Sequence, residues 1–195
     1  MPLSPPRDPA MLPVAAEADR LVRHGFSLAE RGAMYSARAE FIQALRILTQ
    51  ALDALQPEPG AQPHSTALAH ALRALDEVRD FDPRGSQLEA DLNLAAILSA
   101  HRTPILKNTN PEHLSPLLAR QAYYTYAQEQ FALAGGGQPA ASAALHGLGK
   151  LYDVLAQRGE AEAGVPAAIA MHQAALWIDE HNFRSANELA VLLAR

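Results

Sequence analysis

The sequence contains no cysteine, and this absence excludes two kinds of chemistry. Without thiols, the chain has neither disulfide bonds nor thiolate ligands for a metal. Basic residues are also scarce, because lysine and arginine total 16 against 21 acidic residues, and only Lys107 and Lys150 are lysines. The formal net charge of −5 argues against a nucleic-acid partner, since such a partner requires clustered basic side chains that displace counterions.

Long apolar runs are absent as well. No stretch approaches the roughly 20 apolar residues that a membrane-spanning helix needs. The first 13 residues are interrupted by prolines and lack the apolar centre of a signal peptide, so we expect 1–13 to be a flexible lead-in and 14–195 to form one domain. The absence of a signal peptide, a membrane span and cysteine leads us to expect a cytoplasmic protein.

Motifs of catalysis and metal binding are missing from the sequence. The eight histidines include no His-Glu-x-x-His pattern and no pair four residues apart. No Gly-x-Ser-x-Gly elbow is present. The glycine run 135–137 follows a predicted helix and lacks the lysine of a phosphate loop, so it predicts a turn. We therefore expect no catalytic residue, no metal site and no cofactor.

The residues that are abundant indicate helices. Hydrophobic residues make up 49% of the chain and aromatic residues 6%, and much of the apolar total is alanine, the strongest helix former. Apolar residues three and four positions apart, separated by proline and glycine, predict eight helices in an all-α fold. Their predicted ranges are 14–31, 35–55, 65–81, 86–101, 112 or 115 to 134, 139–157, 166–179 and 183–193. Ser65 is the predicted N-cap of the third helix, and Ser86 with Glu89 predicts a capping box at the fourth.

Small and large residues follow the same spacing near both ends of the chain. Small residues let two antiparallel helices approach closely, and large residues fill the space beside them. The early set is Gly25, Ala37, Phe41 and Ala44, and the late set is Leu148, Gly149, Tyr152, Ala168, Ala175 and Leu176. This spacing predicts helical hairpins that bury their apolar faces by stacking on one another.

In this register the sequence resembles the tetratricopeptide repeat family, whose unit of about 34 residues pairs a helix A with a helix B. The first unit begins at Ala18 and matches at Leu21, Gly25, Leu28, Ala37, Phe41 and Ala44. The late unit matches at Leu145, Leu148, Gly149, Tyr152, Ala168, Ala175 and Leu176, and the last helix matches the start of a further unit at Leu189, Ala190 and Leu193. The resemblance implies antiparallel hairpins stacked as a right-handed superhelix and, because the last unit lacks its helix B, a domain cut from a longer protein.

The middle of the chain fits this register less closely. Leu94, Ala95 and Leu98 resemble a helix A, and Ala127, Phe131 and Ala134 resemble a helix B. This assignment leaves the predicted helix 65–81 without a partner, as an inserted helix or as part of generic helical-hairpin packing.

The resemblance also implies where a partner would bind. In such an array the concave face, lined mainly by A helices, receives a peptide or a partner's helix. By register, the groove positions are Asp19, Val22, Phe26, Glu30, His146, Lys150, Asp153, Arg184, Asn187 and Val191. Lys150, Arg184 and Asn187 would contact an acidic group of the partner. We therefore expect a non-catalytic protein–protein interaction scaffold, with self-association through the C-terminal helix as an additional property.

Two other functions are compatible with the sequence. The first is a helical enzyme or small-ligand carrier with an enclosed pocket near Tyr123, Tyr126, His146 and Tyr152. The second is a structural oligomerisation module, recognisable by an apolar patch at its C-terminal end.

Several aromatic and imidazole side chains are predicted to have structural roles. Tyr123 and Tyr126 lie on one stripe of their helix, which favours core packing with the hydroxyl groups at the rim. His24 and His172 lie on apolar stripes and are expected in the core. Trp177 is expected to be a wedge between helices, and a half-exposed tryptophan would instead indicate a binding surface.

Overall fold

A computed structural model describes residues 9–55, 60–82, 92–160 and 164–195. The described residues form eight α-helices and no strand, so the predicted all-α class is confirmed. The helices are α1 Met11–Glu30, α2 Met34–Leu55, α3 His64–Glu77, α4 Leu94–Ala100, α5 Pro116–Gly135, α6 Pro139–Gln157, α7 Gly164–Ile178 and α8 Phe183–Leu193. None of these helices combines the length and the apolarity that crossing a membrane requires.

The predicted lead-in ends earlier than expected. Helix α1 begins at Met11 rather than Val14, and Met11 is buried in the core. Pro13 lies in the first turn of the helix, where a proline costs no hydrogen bond because the first amide groups have no intrahelical acceptor. The prediction was therefore wrong for Met11–Pro13, and positions 1–8 lie outside the described residues.

Helices α1 and α2 form the first hairpin around a glycine turn. Gly32 has φ of +81°, a conformation that glycine adopts without strain. Gly25 of α1 faces the ring of Phe41 on α2, and a methyl group at Gly25 would lie 2.7 Å from Phe41 Cε1. The absence of a side chain at Gly25 therefore lets the two helices approach and lets Phe41 become fully buried.

Helices α6 and α7 form a second hairpin with the same kind of contact. A methyl group at Gly149 of α6 would lie 2.7 Å from the ring of His172 on α7. Helix α6 also packs against α1 and α2, where Gly147 contacts the Phe41 ring that Gly25 contacts as well. Helix α8 in turn packs on α7 and α6.

The structure shows the partner of the predicted helix 65–81, which the tetratricopeptide register left open. It is observed as α3, followed by a 3-10 turn over Val78–Phe81, and its largest interface is with α5. The His64 ring contacts the Leu133 carbonyl at 2.7 Å, and Gln62 donates to Gln130 at 2.7 Å. Because α3, rather than α4, forms the main interface of α5, the assignment of α5 as the helix B of α4 was wrong. The α3–α5 pair packs beside α2 and α7.

The ends of the central helices differ from the predicted ends. Helix α4 begins at Leu94, where the Asn93 side chain accepts a hydrogen bond from the Ala96 amide at 3.0 Å. The predicted capping box at Ser86 and Glu89 lies outside the described residues. After α5, Gly136 and Gly137 have φ of +52° and +71°, so the glycine run forms the predicted turn.

The N-cap of α3 comes from another helix. The Asp53 carboxylate of α2 accepts from the His64 amide at 2.6 Å and from the Ser65 amide at 3.1 Å, so the prediction that Ser65 caps the helix was wrong. Burial acts to raise the pKa of Asp53, but the hydrogen bonds from Ser65 and His64 outweigh it and lower that pKa.

Replacing Asp53 should therefore weaken the start of α3. We expect Asp53→Ala to lower the free energy of unfolding by about 1 kcal/mol, because two amide groups lose their acceptor. Urea denaturation followed by circular dichroism measures this change. Asp76→Ala, at an exposed position of the same helix, is the matched control and should change stability by less than about 0.5 kcal/mol. Equal effects of the two substitutions would contradict the capping role.

Candidate functional site

The predicted groove positions divide by exposure into three groups. Asp19, Glu30, Arg184, Asn187 and Val191 are exposed, Phe26 and Lys150 are half-buried, and Val22, His146 and Asp153 are buried. These three side chains do not face solvent, because α6, which carries His146 and Asp153, packs against α1, which carries Val22, and against α8. The binding role of the exposed positions stays a prediction.

Polar contacts join α6 to α8. Lys150 donates to Glu188 at 2.7 Å, and Arg195 donates to Asp153 at 2.8 Å. Asp153 also accepts from Gln157 at 2.8 Å. Two of the charged groups that the sequence assigned to a partner therefore already have partners within the chain.

A histidine pair lies beneath α8. The rings of His146 and His172 are 5.4 Å apart between their centroids, and the Ser185 hydroxyl of α8 lies 3.3 Å from Nδ1 of His146 and 3.5 Å from Nδ1 of His172. Burial is the main reason why the pKa of each ring is lowered to about 4. Both rings are therefore neutral at neutral pH. The predicted core position of His172 is confirmed.

On the α1 side, the aromatic packing continues from the first hairpin. Phe26 packs edge-on to Phe41 with ring centroids 5.1 Å apart, and its ring is 5.9 Å from that of His146. The prediction that His24 lies in the core was wrong, because this side chain is exposed and its Nδ1 lies 3.3 Å from a Glu40 oxygen.

The residues of the alternative enclosed pocket contact different partners. The Tyr123 hydroxyl pairs with Nδ1 of His101 at 2.8 Å, and the Tyr126 hydroxyl lies 3.3 Å from Nδ1 of His70 on α3. His146 instead faces Ser185 on α8. Tyr123 lies in the core, as predicted, but its hydroxyl is buried against His101 rather than at the rim, and burial raises the pKa of Tyr123 above the usual value. These side chains serve separate interfaces rather than one reaction centre.

The structure also contains an open cleft between α5 and α7 that the sequence analysis missed. It has a volume of about 750 Å³. Its lining comes from the end of the 3-10 turn and from one face each of α5 and α7, namely Asp82, Leu117, Arg120, Gln121, Tyr124, Thr125, Gln128, Pro166, Ile169, Ala170 and Gln173. At the far end of the two helices, Gly135 of α5 contacts Ile178 of α7 directly, so the cleft lies along their N-terminal parts.

The cleft combines amide groups with apolar surface. Arg120 forms an ion pair with Asp82, and burial together with the nearby charge of Asp82 raises the pKa of Tyr124 to about 12. At neutral pH the phenol is therefore uncharged. Gln128 is the most deeply buried amide at 8% exposure. Leu117 and Ile169 supply apolar area beside the amides.

One sequence signal could have indicated this cleft. Along α5, Arg120, Gln121, Tyr124, Thr125 and Gln128 recur three and four residues apart on one face. A polar stripe of this kind on a helix whose other faces pack against α3 and α7 marks a surface that the core leaves open. The opposing residues of α7 lie more than 40 positions later, so the sequence pattern alone does not pair the two faces.

Trp177 is 59% exposed at the end of α7, so the predicted inter-helix wedge was wrong. Phe183, at the start of α8, is 75% exposed. Large aromatic side chains in solvent are typical of binding surfaces. Two exposed rings thus stand on either side of the α7–α8 turn.

Comparisons with known proteins give no relative for this chain. It matches no protein-family model, no curated protein and no solved structure. Among the described residues, no group of three or more His, Asp or Glu side chains is arranged to hold a metal ion.

Proposed function

We propose that this chain is a non-catalytic recognition scaffold that binds an extended polypeptide segment in the cleft between α5 and α7. The single observation that carries the proposal is the lining of the cleft, which combines amide groups with apolar side chains and in which Asp82 and Arg120 form an ion pair with each other.

The chemistry of the cleft suits a peptide main chain. An extended segment exposes amide N–H and C=O groups that need partners when they leave water. Gln121, Gln128 and Gln173 each offer both donors and an acceptor. Leu117 and Ile169 offer apolar contacts for alternate side chains of the bound segment.

The proposed architecture is a stack of tetratricopeptide-like hairpins with an insertion. The contacts among α1, α2, α6, α7 and α8 follow the order expected of consecutive A and B helices. The α3–α5 segment lies between the first helix B and the second helix A in sequence and packs against α2 and α7. In this proposal, the inserted α5 turns the outer surface of the stack into a binding cleft.

Peptide selection with variants of the cleft tests the proposed function. A phage-displayed library of random short peptides is selected on the full chain, and affinities of the enriched peptides are measured by fluorescence anisotropy. We expect Gln128→Leu and Ile169→Arg each to weaken binding at least about tenfold, because one removes a buried amide and the other places a charge on the apolar wall.

Exposed positions of the predicted groove provide the matched control. Arg184→Glu with Asn187→Asp should leave peptide affinity within about twofold of the parent chain. Circular dichroism confirms that each variant is folded. Loss of binding in the α8 control with retention in both cleft variants would place the site on the groove and refute the cleft. Failure to enrich any peptide would also count against the proposal.

A further inference from the structure

The outer face of α8 has the residue pattern of a helix that is normally covered by another. On α1, Leu21 lies four residues before Gly25 and Leu28 three residues after it. On α6, Leu145 and Tyr152 have the same spacing around Gly149. On α8 this register falls on Ala186, Ala190 and Leu193. The first two sets are covered by α2 and α7, whereas Ala186, Ala190 and Leu193 are all exposed.

The helices that cover α1 and α6 share a motif of their own. On α2, Phe41 lies between Ala37 and Ala44, and on α7, His172 lies at the same spacing between Ala168 and Ala175. In each case the ring rests on the glycine of the preceding helix, and the flanking alanines are fully buried. The chain therefore uses one interface twice: a small residue on the first helix and a ring flanked by alanines on the second.

The exposed apolar side of α8 is distinct from its docked side. Ser185 and Leu192 are buried against α6 and α7, while Phe183, Ala186, Ala190 and Leu193 are spaced three, four and three residues apart along the free side. Leu193 is 66% exposed, which is unfavourable for a leucine unless another surface covers it.

We infer that this side of α8 is the docking surface for an amphipathic α-helix of a partner, packed antiparallel to α8, with a bulky ring flanked by small residues resting on Ala190. The inference does not depend on the cleft between α5 and α7. Continuity with the α1–α2 and α6–α7 interfaces identifies the occupant, because the same register, with a small residue at its centre, recurs a third time. The methyl group of Ala190 is accommodated by a slightly larger separation of the two helices.

A peptide with the α2 sequence provides a defined probe. A fluorescein-labelled peptide of residues 34–55 carries the motif Ala37, Phe41 and Ala44. We expect its fluorescence anisotropy to rise on titration with the full chain. Ala190→Arg and Leu193→Arg in the full chain should each weaken binding at least about tenfold, since a charged side chain then occupies the centre or the end of the docking surface. A peptide with Phe41→Ala should bind at least about tenfold more weakly as well.

Tyr35→Arg is the control, because Tyr35 is exposed on α2 rather than on α8. This variant should retain peptide affinity within about twofold. Sedimentation velocity of the chain without peptide identifies the alternative occupant. A dimer that becomes a monomer on Ala190→Arg would show that a second copy covers the face and would overturn the proposal. No binding up to about 1 mM peptide, or equal binding by Ala190→Arg and the parent chain, would overturn it too.

Discussion

Phe41→Ala is expected to destabilise the chain by about 3–5 kcal/mol, which is the range for removing a large aromatic side chain from a core. The ring is fully buried and lies where three helices meet. Gly25 of α1 and Gly147 of α6 both contact it, and Phe26 packs against its edge. Because neither glycine has a side chain that could move into the vacated space, most of the cavity should remain.

Urea denaturation at neutral pH measures the effect. Tyr35→Ala on the same helix is the matched control, since Tyr35 is 87% exposed and its removal should change stability by less than about 0.5 kcal/mol. Phe41→Leu should recover part of the loss because it refills part of the cavity. A loss below about 1 kcal/mol for Phe41→Ala would show that α6 does not depend on this ring.

The first and second hairpins could be predicted because their key contacts are local. The spacing of Gly25 and Phe41, and the corresponding register at Gly149, are visible within about 25 residues of sequence each. A small residue opposite a large one is a packing rule that holds wherever two helices cross closely. The same reasoning gave helix α8 its correct start at Phe183.

The central helices could not be predicted in the same way. Helices α3 and α5 pair across nearly 40 intervening residues, and the contacts that join them, such as His64 with the Leu133 carbonyl, have no periodic signature. The cap of α3 is likewise supplied from outside, by Asp53 of α2. Sequence reasoning assigned this cap to Ser65 because local capping is the commoner arrangement.

The candidate site was likewise predictable in part. The register correctly placed Arg184 and Asn187 on an exposed surface, but it could not show that α8 would cover His146 and Asp153. Whether a polar group is buried depends on which helix packs against it, and that choice is determined by the packing of all the helices together. The cleft was missed for the same reason, because α5 and α7 become neighbours only after the chain has folded.

Acidification should lower the free energy of unfolding, because the buried histidine pair is neutral in the folded chain at neutral pH. His146 and His172 face each other and Ser185, and the charged groups around them are Lys150, Asp153, Arg184 and Glu188. Burial is the largest cause of the lowered pKa, and for His146 the neighbouring imidazole lowers it further. Among the described residues, Nε2 of His172 has no hydrogen-bond partner. Protonation of this nitrogen would create a buried positive charge whose N–H group has no hydrogen-bond acceptor.

Proton linkage gives the direction in which pH changes the stability of the chain. The folded-state pKa of each ring is about 4, below the ordinary histidine value of about 6.5, so the unfolded chain binds protons more tightly between these values. The contribution of the neutral pair to the free energy of unfolding is therefore fully present above about pH 6.5. It falls as the pH is lowered and stops falling near pH 4. Between pH 7 and pH 5 each histidine should cost roughly 2 kcal/mol, and the pair up to about 4 kcal/mol.

Urea denaturation at pH 7, 6 and 5 measures this loss, with the exposed Trp177 as a fluorescence probe beside α8. The carboxyl groups of Asp53 and Glu77 have lowered pKa values in the folded chain and ordinary values of about 4 in the unfolded chain, so they change stability mainly below about pH 5. His146→Gln with His172→Gln should be less stable at pH 7, because it disturbs the packing, yet lose about 4 kcal/mol less on going to pH 5. Asn187→Gln, at an exposed position of α8, is the control and should keep the parental pH dependence, because neither amide side chain titrates. If the double variant lost as much stability between pH 7 and pH 5 as the parent chain, the buried pair would not be the origin of the acid sensitivity.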